Sequence, residues 1–296
     1  MNSSSFYQPR PVRRGRVIAL HCSGGSASHW SPLAEALLGR HEVAAPEHYG
    51  SQDTGAWGGE HAFSLDDEAV RSIALIDHCD GDKVHLVGHS YGGGVALNIA
   101  LARPNRIASM VLYEPTAFHL LRQLGDRGAE PYAEITGVAR NVCQGVVTGD
   151  YRGAVAGFVD YWNGPGAWNA LRPAVQSALI RWAPKGPLDF RALIDDPTPA
   201  DAYRRLPFPV LILRGEYAPS PTRTIAEGLA ELLPASRLVV VASAGHMGPL
   251  THAIEVSALV VRHIADAESH ADAPLYRAAQ RDDMAGFAMQ RAGAAS

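Results

Sequence analysis

Residues 83–102 read KVHLVGHSYGGGVALNIALA. A continuous apolar run passes into a glycine-led helical run across GHSYG, with no residues left for a loop. A strand that is apolar at successive positions has to be covered on both faces. A helix that follows at once has to lie back across the sheet. The turn between them strains Ser90 and lifts its hydroxyl above the sheet edge. Side chains two residues to either side would collide, which requires Gly88 and Gly92. The start of the helix adds unpaired N–H groups and the positive end of its dipole beside Ser90.

The same pattern recurs along the chain. RVIALHC (16–22), EVAAP (42–46), KVHLVGH (83–89), RIASMVLYE (106–114), VLILRGE (210–216) and RLVVVAS (237–243) are short runs rich in Val, Ile and Leu. Several are near-continuous rather than alternating, which suits parallel strands. Helical patterns over 31–39, 65–78, 91–102, 221–233 and 252–265 separate them. In the last, Ile254, Ala258, Val261 and Ala265 recur at three- and four-residue steps. The fold class is α/β, with a doubly wound, mostly parallel sheet. Between about 118 and 205 the alternation stops and helical patterns dominate; DDPTPADAYRRLPFP then returns the chain to the sheet. The expected organisation is a core in two parts, 1–118 and 206–266. A helical insertion, 119–205, lies over the strand C-termini, and 267–296 form a C-terminal tail or helix.

Composition narrows the class of partner. Hydrophobic residues make up 47% and charged residues 19%, which suits a globular protein. A net charge of −4 builds no basic face for nucleic acid or an anionic membrane. No apolar run reaches the ~18 residues of a spanning helix, and the first fifteen residues lack the apolar core of a signal peptide. Cys22, Cys79 and Cys143 are scattered and odd in number, so a cytoplasmic location without a disulfide framework is expected. None of the 13 histidines forms an H-x-x-x-H pair beside a carboxylate on a predicted helix. Neither a metal nor a cofactor is expected.

Three stretches carry chemistry. Strand, GHSYG and helix together are the layout that presents a serine as nucleophile, here Ser90. Acyl chemistry needs a second backbone donor facing that turn, from the loop after an early strand. HCSGG (21–25) supplies it, and the N–H groups of Ser23 and Tyr91 form the expected oxyanion pair. His21 is expected to brace this loop through backbone hydrogen bonds, and Cys22 to be a small buried residue. Late in the chain, SAGHMGPLTH (243–252) puts His246 on a glycine-flanked loop, a fitting carrier for a general base that reaches over the sheet. His48, His61 and His119 are candidates for lining a pocket; His252, His263 and His270 are read as surface or helix residues.

Taken together, HCSGG, VGHSYGGG, VLYEP, LRGEYAPSPT and AGHMGPLTH resemble the α/β-hydrolase superfamily. The likeness is to its capped branch of esterases, carbon–carbon bond hydrolases and cofactor-free haloperoxidases, and covers roughly 16–118 and 206–266. It implies about six to eight strands, with the helical insertion at the position of the cap. It also implies a serine nucleophile, a late histidine and a carboxylate; Ser90 and His246 match the first two. Serine at position 90 disfavours haloalkane dehalogenase and epoxide hydrolase chemistry, which use aspartate there. The chain departs from the usual pattern at Cys22, where glycine follows the histidine, and at Ala218, where the fold usually keeps its acid.

The acid then has two places to be. Some members of the superfamily take it from the strand after the turn helix, and Glu114 ends that strand here, 114 − 90 = 24 residues beyond Ser90. Glu216, two residues before Ala218, is the runner-up, and a site without an acid is the third reading. In the insertion, Phe158, Tyr161, Trp162, Trp168 and Trp182 either line an apolar acyl pocket or form the insertion's own core. The expected function is a Ser-His-acid hydrolase acting on an ester or related acyl bond of a small, largely apolar molecule. The rivals are a lyase or acyl transferase on the same site, and a non-catalytic ligand-binding protein of this fold.

Overall fold

The computed structural model describes residues 15–51, 54–79 and 82–271. Its strands are β1 (Gly15–Leu20), β2 (His41–Ala44), β3 (Val84–His89), β4 (Ile107–Tyr113), β5 (Val210–Gly215) and β6 (Ser236–Val241). They form one sheet in the order β2-β1-β3-β4-β5-β6, and every neighbouring pair is parallel. The helices are α1 (Ser31–Ala36), α2 (Leu65–Asp77), α3 (Tyr91–Ala102), α4 (Asp126–Thr148), α5 (Tyr151–Asn163), α6 (Ala167–Ala170), α7 (Pro173–Trp182), α8 (Gly186–Ile194), α9 (Ser220–Leu232), α10 (Gly248–Thr251) and α11 (Ala253–Ala271).

The two faces of the sheet explain the near-continuous strands. Ile18, Leu86, Leu112 and Ile212 point to one side, where they meet residues of α2, α3 and α9 such as Ile76, Ile99 and Leu229. Val17, Val87, Val111 and Leu211 point to the other and pack with Leu33 of α1 and Val256, Val260 and Ile264 of α11. Both faces are buried, so neither can be polar.

The α11 stripe differs from the one read off the sequence. Ile254 is 89% exposed, and Val256, Val260 and Ile264 face the sheet instead. Both stripes have helical spacing, and periodicity alone does not say which one the sheet covers. The helix also runs to Ala271, past the boundary expected at 266. A helix around 275–290 would lie outside the described residues. None of the described helices is long and apolar enough to cross a membrane.

Between β4 and β5 the described chain is helical, with α4 to α8 and short 3-10 turns. This segment joins the main core through Ile135, Val142, Trp162, Phe190 and Leu193. It also has a small core of its own around Val155, Val159, Trp168 and Ala183. The strand order reverses between β1 and β3. In such sheets the crevice beyond the strand C-termini at the reversal is where ligands bind.

Candidate active site

The loops after β1 and β3 meet at this reversal. Ser90 follows β3 directly, with φ 54° and ψ −118°, a strained conformation for a residue with a side chain. The strain is held in place by neighbours: Ser90 N–H donates to Tyr113 O at 3.0 Å, and Gly92 N–H to His21 O at 3.1 Å. A Cβ on Gly88 would sit 2.5 Å from Gly92 O, and one on Gly92 would sit 2.3 Å from Leu20 O. No side chain fits at either position.

His246 comes from the loop between β6 and α10. Its Nε2 lies 2.9 Å from Ser90 Oγ, and its Nδ1 lies 2.7 Å from Glu114 Oε2. Glu114 ends β4 with φ 42°. Its other contacts are Gly215 N–H, donating to Oε1 at 2.9 Å, and Thr222 Oγ1, donating to Oε2 at 2.9 Å. Burial pushes the Glu114 carboxyl up, but the bonds from His246, Gly215 and Thr222 outweigh it and hold the group below the usual carboxylate range. Glu216 is exposed and accepts from Ser243 N–H at 2.8 Å, away from the histidine. Of the two candidate acids, Glu114 is therefore the one that meets His246.

The histidine loop is fixed from beneath. Tyr113 Oη donates to Gly245 O at 2.8 Å, and His89 Nε2 donates to His246 O at 2.8 Å. With that donor set, His89 Nδ1 is an acceptor and faces His29 Nε2 at 3.2 Å. His29 Nδ1 in turn faces Cys22 Sγ at 4.0 Å. Burial pushes His29 down to about 3 and His89 well below the usual range, so both imidazoles are neutral and the chain of donors runs one way. Burial also pushes the Cys22 thiol up to about 12, which leaves it protonated and unreactive. His21 acts as expected: its Nδ1 lies 2.8 Å from Cys22 O, and its Nε2 accepts from His48 N–H at 3.3 Å.

A small cavity of about 20 Å³ opens beside Ser90, lined by Ser23, Thr116, Phe118, Phe158, Trp162, Asp189, Phe190 and Leu193. The insertion's aromatics divide between the two roles open to them. Phe158 and Trp162 line the cavity, whereas Trp168 belongs to the segment's own core. Trp162 stacks on His246 with ring centroids 4.0 Å apart and planes 24° apart. None of His48, His61 and His119 lines this cavity. His48 and His119 are buried elsewhere, and His61 bonds Asp67 at the surface.

Ser23 is tied to an ionic cluster drawn from distant parts of the chain. Its Oγ donates to Asp189 Oδ2 at 2.7 Å. Lys185, 5% exposed, reaches both Asp189 and Glu68 Oε2, the latter at 2.8 Å. Tyr91 Oη donates to Glu68 Oε2 at 2.7 Å. One ammonium serves two carboxylates. Burial pushes the Glu68 carboxyl up, but His48 and Lys185 outweigh it and hold it well below the usual range. Burial raises the Asp189 carboxyl against the pull of Lys185, and the charge on Glu68 raises it further. The cluster ties α2, the start of α3, the loop after β1 and the helical segment together next to Ser90.

Residues 15–253 match the model of the alpha/beta hydrolase fold family. The chain belongs to this family. It is 34% identical over 100 residues to a provisionally named carbamate hydrolase RutD of Caulobacter segnis, a match covering 33% of this chain and 38% of that protein. It is 32% identical over 105 residues to lipase LipV of Mycobacterium tuberculosis, covering 36% and 39%. These matches thus span under half the length of either relative. A solved thermophilic esterase from Thermogutta terrifontis superposes with a TM-score of 0.63 at 20% identity, covering 86% of this chain and 90% of that one.

The site residues that sequence reasoning missed are Thr222, Tyr113 and His89 around the histidine, and Glu68, Lys185 and Asp189 around Ser23. His89 lies inside GHSYG, the single local hint. Lys185 and Asp189 are four residues apart across the start of α8, but no spacing in the sequence links that pair to Glu68, or Thr222 and Tyr113 to the histidine.

Proposed function

We propose that this chain is a serine hydrolase that cleaves an ester or related acyl bond of a small, largely apolar molecule through an acyl-Ser90 intermediate. The observation that carries the reading is the hydrogen-bonded line Ser90–His246–Glu114 at the mouth of an apolar cavity. Ser90 Oγ attacks the carbonyl carbon while its proton passes to His246 Nε2. Glu114 holds Nδ1–H and stabilises the imidazolium. The N–H groups of Ser23 and Tyr91 receive the oxyanion: Ser23 lines the cavity, and Tyr91 is the first residue of α3, whose N–H has no partner inside the helix. Collapse breaks the bond to the leaving alcohol, which takes the proton from His246. Water then repeats the sequence, releasing the acid and restoring Ser90.

The helical segment 119–205 serves as the cap. Trp162 covers one face of His246, excludes water there and offers its π-face to the imidazolium. Names among the relatives, carbamate hydrolase and lipase, agree with acyl chemistry on a carbonyl. The two departures from the family pattern have structural counterparts: Glu114 stands in for an acid at Ala218, and Cys22 is a buried, protonated thiol.

A fluorophosphonate probe followed by peptide mass analysis tests the reading. The expected adduct is on Ser90, with Ser90→Ala unlabelled, inactive on short-chain p-nitrophenyl esters and melting within a few degrees of the wild type, because the backbone bonds that hold the turn remain. A wild type that takes no label, or a Ser90→Ala variant that hydrolyses the same esters equally, would sink it.

A further inference from the structure

At the opposite end of the sheet, three ligand-type side chains from distant parts of the chain converge. His41 opens β2, His85 is the second residue of β3, and Glu268 lies near the end of α11. His41 Nε2 is 2.9 Å from Glu268 Oε1, and His85 Nε2 is 3.6 Å from the same oxygen. One ligand atom from each residue falls within 4.8 Å of the other two. A tetrahedral zinc with bonds of about 2.0–2.1 Å needs its ligand atoms roughly 3.4 Å apart.

The surroundings make this more than a surface encounter. His41 pairs with Gly15 and His85 with Val17 across β1, which places both imidazoles on the face covered by α11. Val256, Val260 and Ile264 form the buried stripe of α11, and one further step of four brings Glu268 over the two histidines. Gly15 leaves the space: a Cβ there would stand 2.9 Å from His41 Nε2 and 3.3 Å from Glu268 Oε1. His85 Nδ1 is 2.8 Å from Ser109 Oγ, its register partner on β4. That is the outer-shell bond that fixes a ligating imidazole with its other nitrogen free to coordinate. His41 Nδ1 is buried and has no hydrogen-bond partner among the described residues. Glu268 remains half-exposed, so an ion has a way in and a water has room for the fourth position.

We propose that His41, His85 and Glu268 form a binding site for a divalent transition cation of the zinc type, which clamps α11 to the N-terminal edge of β1–β3. His85 and Ser90 sit at opposite ends of β3, five residues and about 17 Å apart at the strand rise. The ion is therefore structural and takes no part in the reaction.

The test uses the full, untagged chain freed of metal with a chelator. Isothermal titration with zinc should give one site per chain, and zinc should raise the melting temperature, since a ligand bound only by the folded state stabilises it. Glu268→Gln, His41→Asn and Gly15→Ala should each weaken binding by on the order of 100-fold or more, because loss of even an outer-shell partner costs about 10–100-fold. Glu268 is half-exposed, so Glu268→Gln should fold as the wild type does, and its ester hydrolysis in zinc-free buffer should not change. Cobalt in place of zinc should give the visible bands of a tetrahedral nitrogen–oxygen site. Absence of saturable binding overturns the proposal. So does binding that survives in the Glu268→Gln/His41→Asn double variant but is lost in Cys22→Ser, with a thiolate-to-cobalt band. That result would place the ion in the buried Cys22–His29–His89 group instead.

Discussion

Glu114 accepts from three donors, and each contributes differently. In the proposed mechanism the imidazole bond is the one that changes, because the proton of Ser90 passes to His246. Glu114→Gln keeps the size and removes the charge, and kcat should fall by roughly 10²–10⁴. Glu216→Gln, which loses only a bond to Ser243 N–H, should leave kcat nearly unchanged. The reverse pattern in steady-state kinetics would move the acid to Glu216. Thr222 is a positioning residue: its hydroxyl touches the carboxylate and no reacting atom. Thr222→Val removes a hydrogen bond to a charged group, worth about 1.5 kcal/mol or more, so kcat should drop by roughly tenfold with KM unchanged. Equal kcat in Thr222→Val would show that the bond does not orient the acid.

Among the elements, the start of α8 carries the ionic link between the helical segment and the core. Lys185 lies just before it and Asp189 in its first turn, and the pair reaches Glu68 on α2 and Ser23 in the loop after β1. Lys185→Met keeps the buried stem and removes the only ammonium in the cluster, which strands two carboxylates. Leaving a buried charge unpaired costs about 3–5 kcal/mol, so urea unfolding should show a loss of that order. Adding Glu68→Gln and Asp189→Asn should recover much of it, since a neutral cluster has no charge to strand. A single-variant loss below about 1 kcal/mol would mean that water already reaches the ions.

For the whole molecule, the shifted carboxyls set the acid limb of stability. Glu114 and Glu68 are both held below their unfolded values. The stabilisation from such groups is fully present above the unfolded carboxylate pKa of about 4.3 and is lost as the pH falls through the folded one. Melting temperature should therefore hold steady near neutrality and decline below about pH 4. Glu114→Gln should flatten part of that decline, because glutamine has no proton to gain. An acid limb identical in both proteins would show that Glu114 is not held low by folding. The site is also narrow at this scale: a cavity of about 20 Å³ admits about one water. For the proposed ester to reach Ser90, side chains of the helical segment, Trp162 and Phe158 first among them, must shift.

Local chemistry in the sequence determined the strand–turn–helix around Ser90, the six apolar runs that became parallel strands, and the glycine-flanked loop of His246. Each depends on steric or hydrophobic rules that act over a few residues, so adjacent letters carry the signal. Glu114 was legible as a candidate through the superfamily resemblance, as the carboxylate that ends the strand after the turn helix. That it rather than Glu216 meets His246 depends on β4 and β5 lying side by side, which let Gly215 and Thr222 aim it. The sheet, not the helical period, decided which stripe of α11 is buried. Lys185 and Asp189 stand four residues apart, but Glu68 and Ser23 lie more than a hundred residues from them, and His41, His85 and Glu268 lie tens to hundreds of residues from one another; only the packed tertiary structure brings such groups within bonding distance.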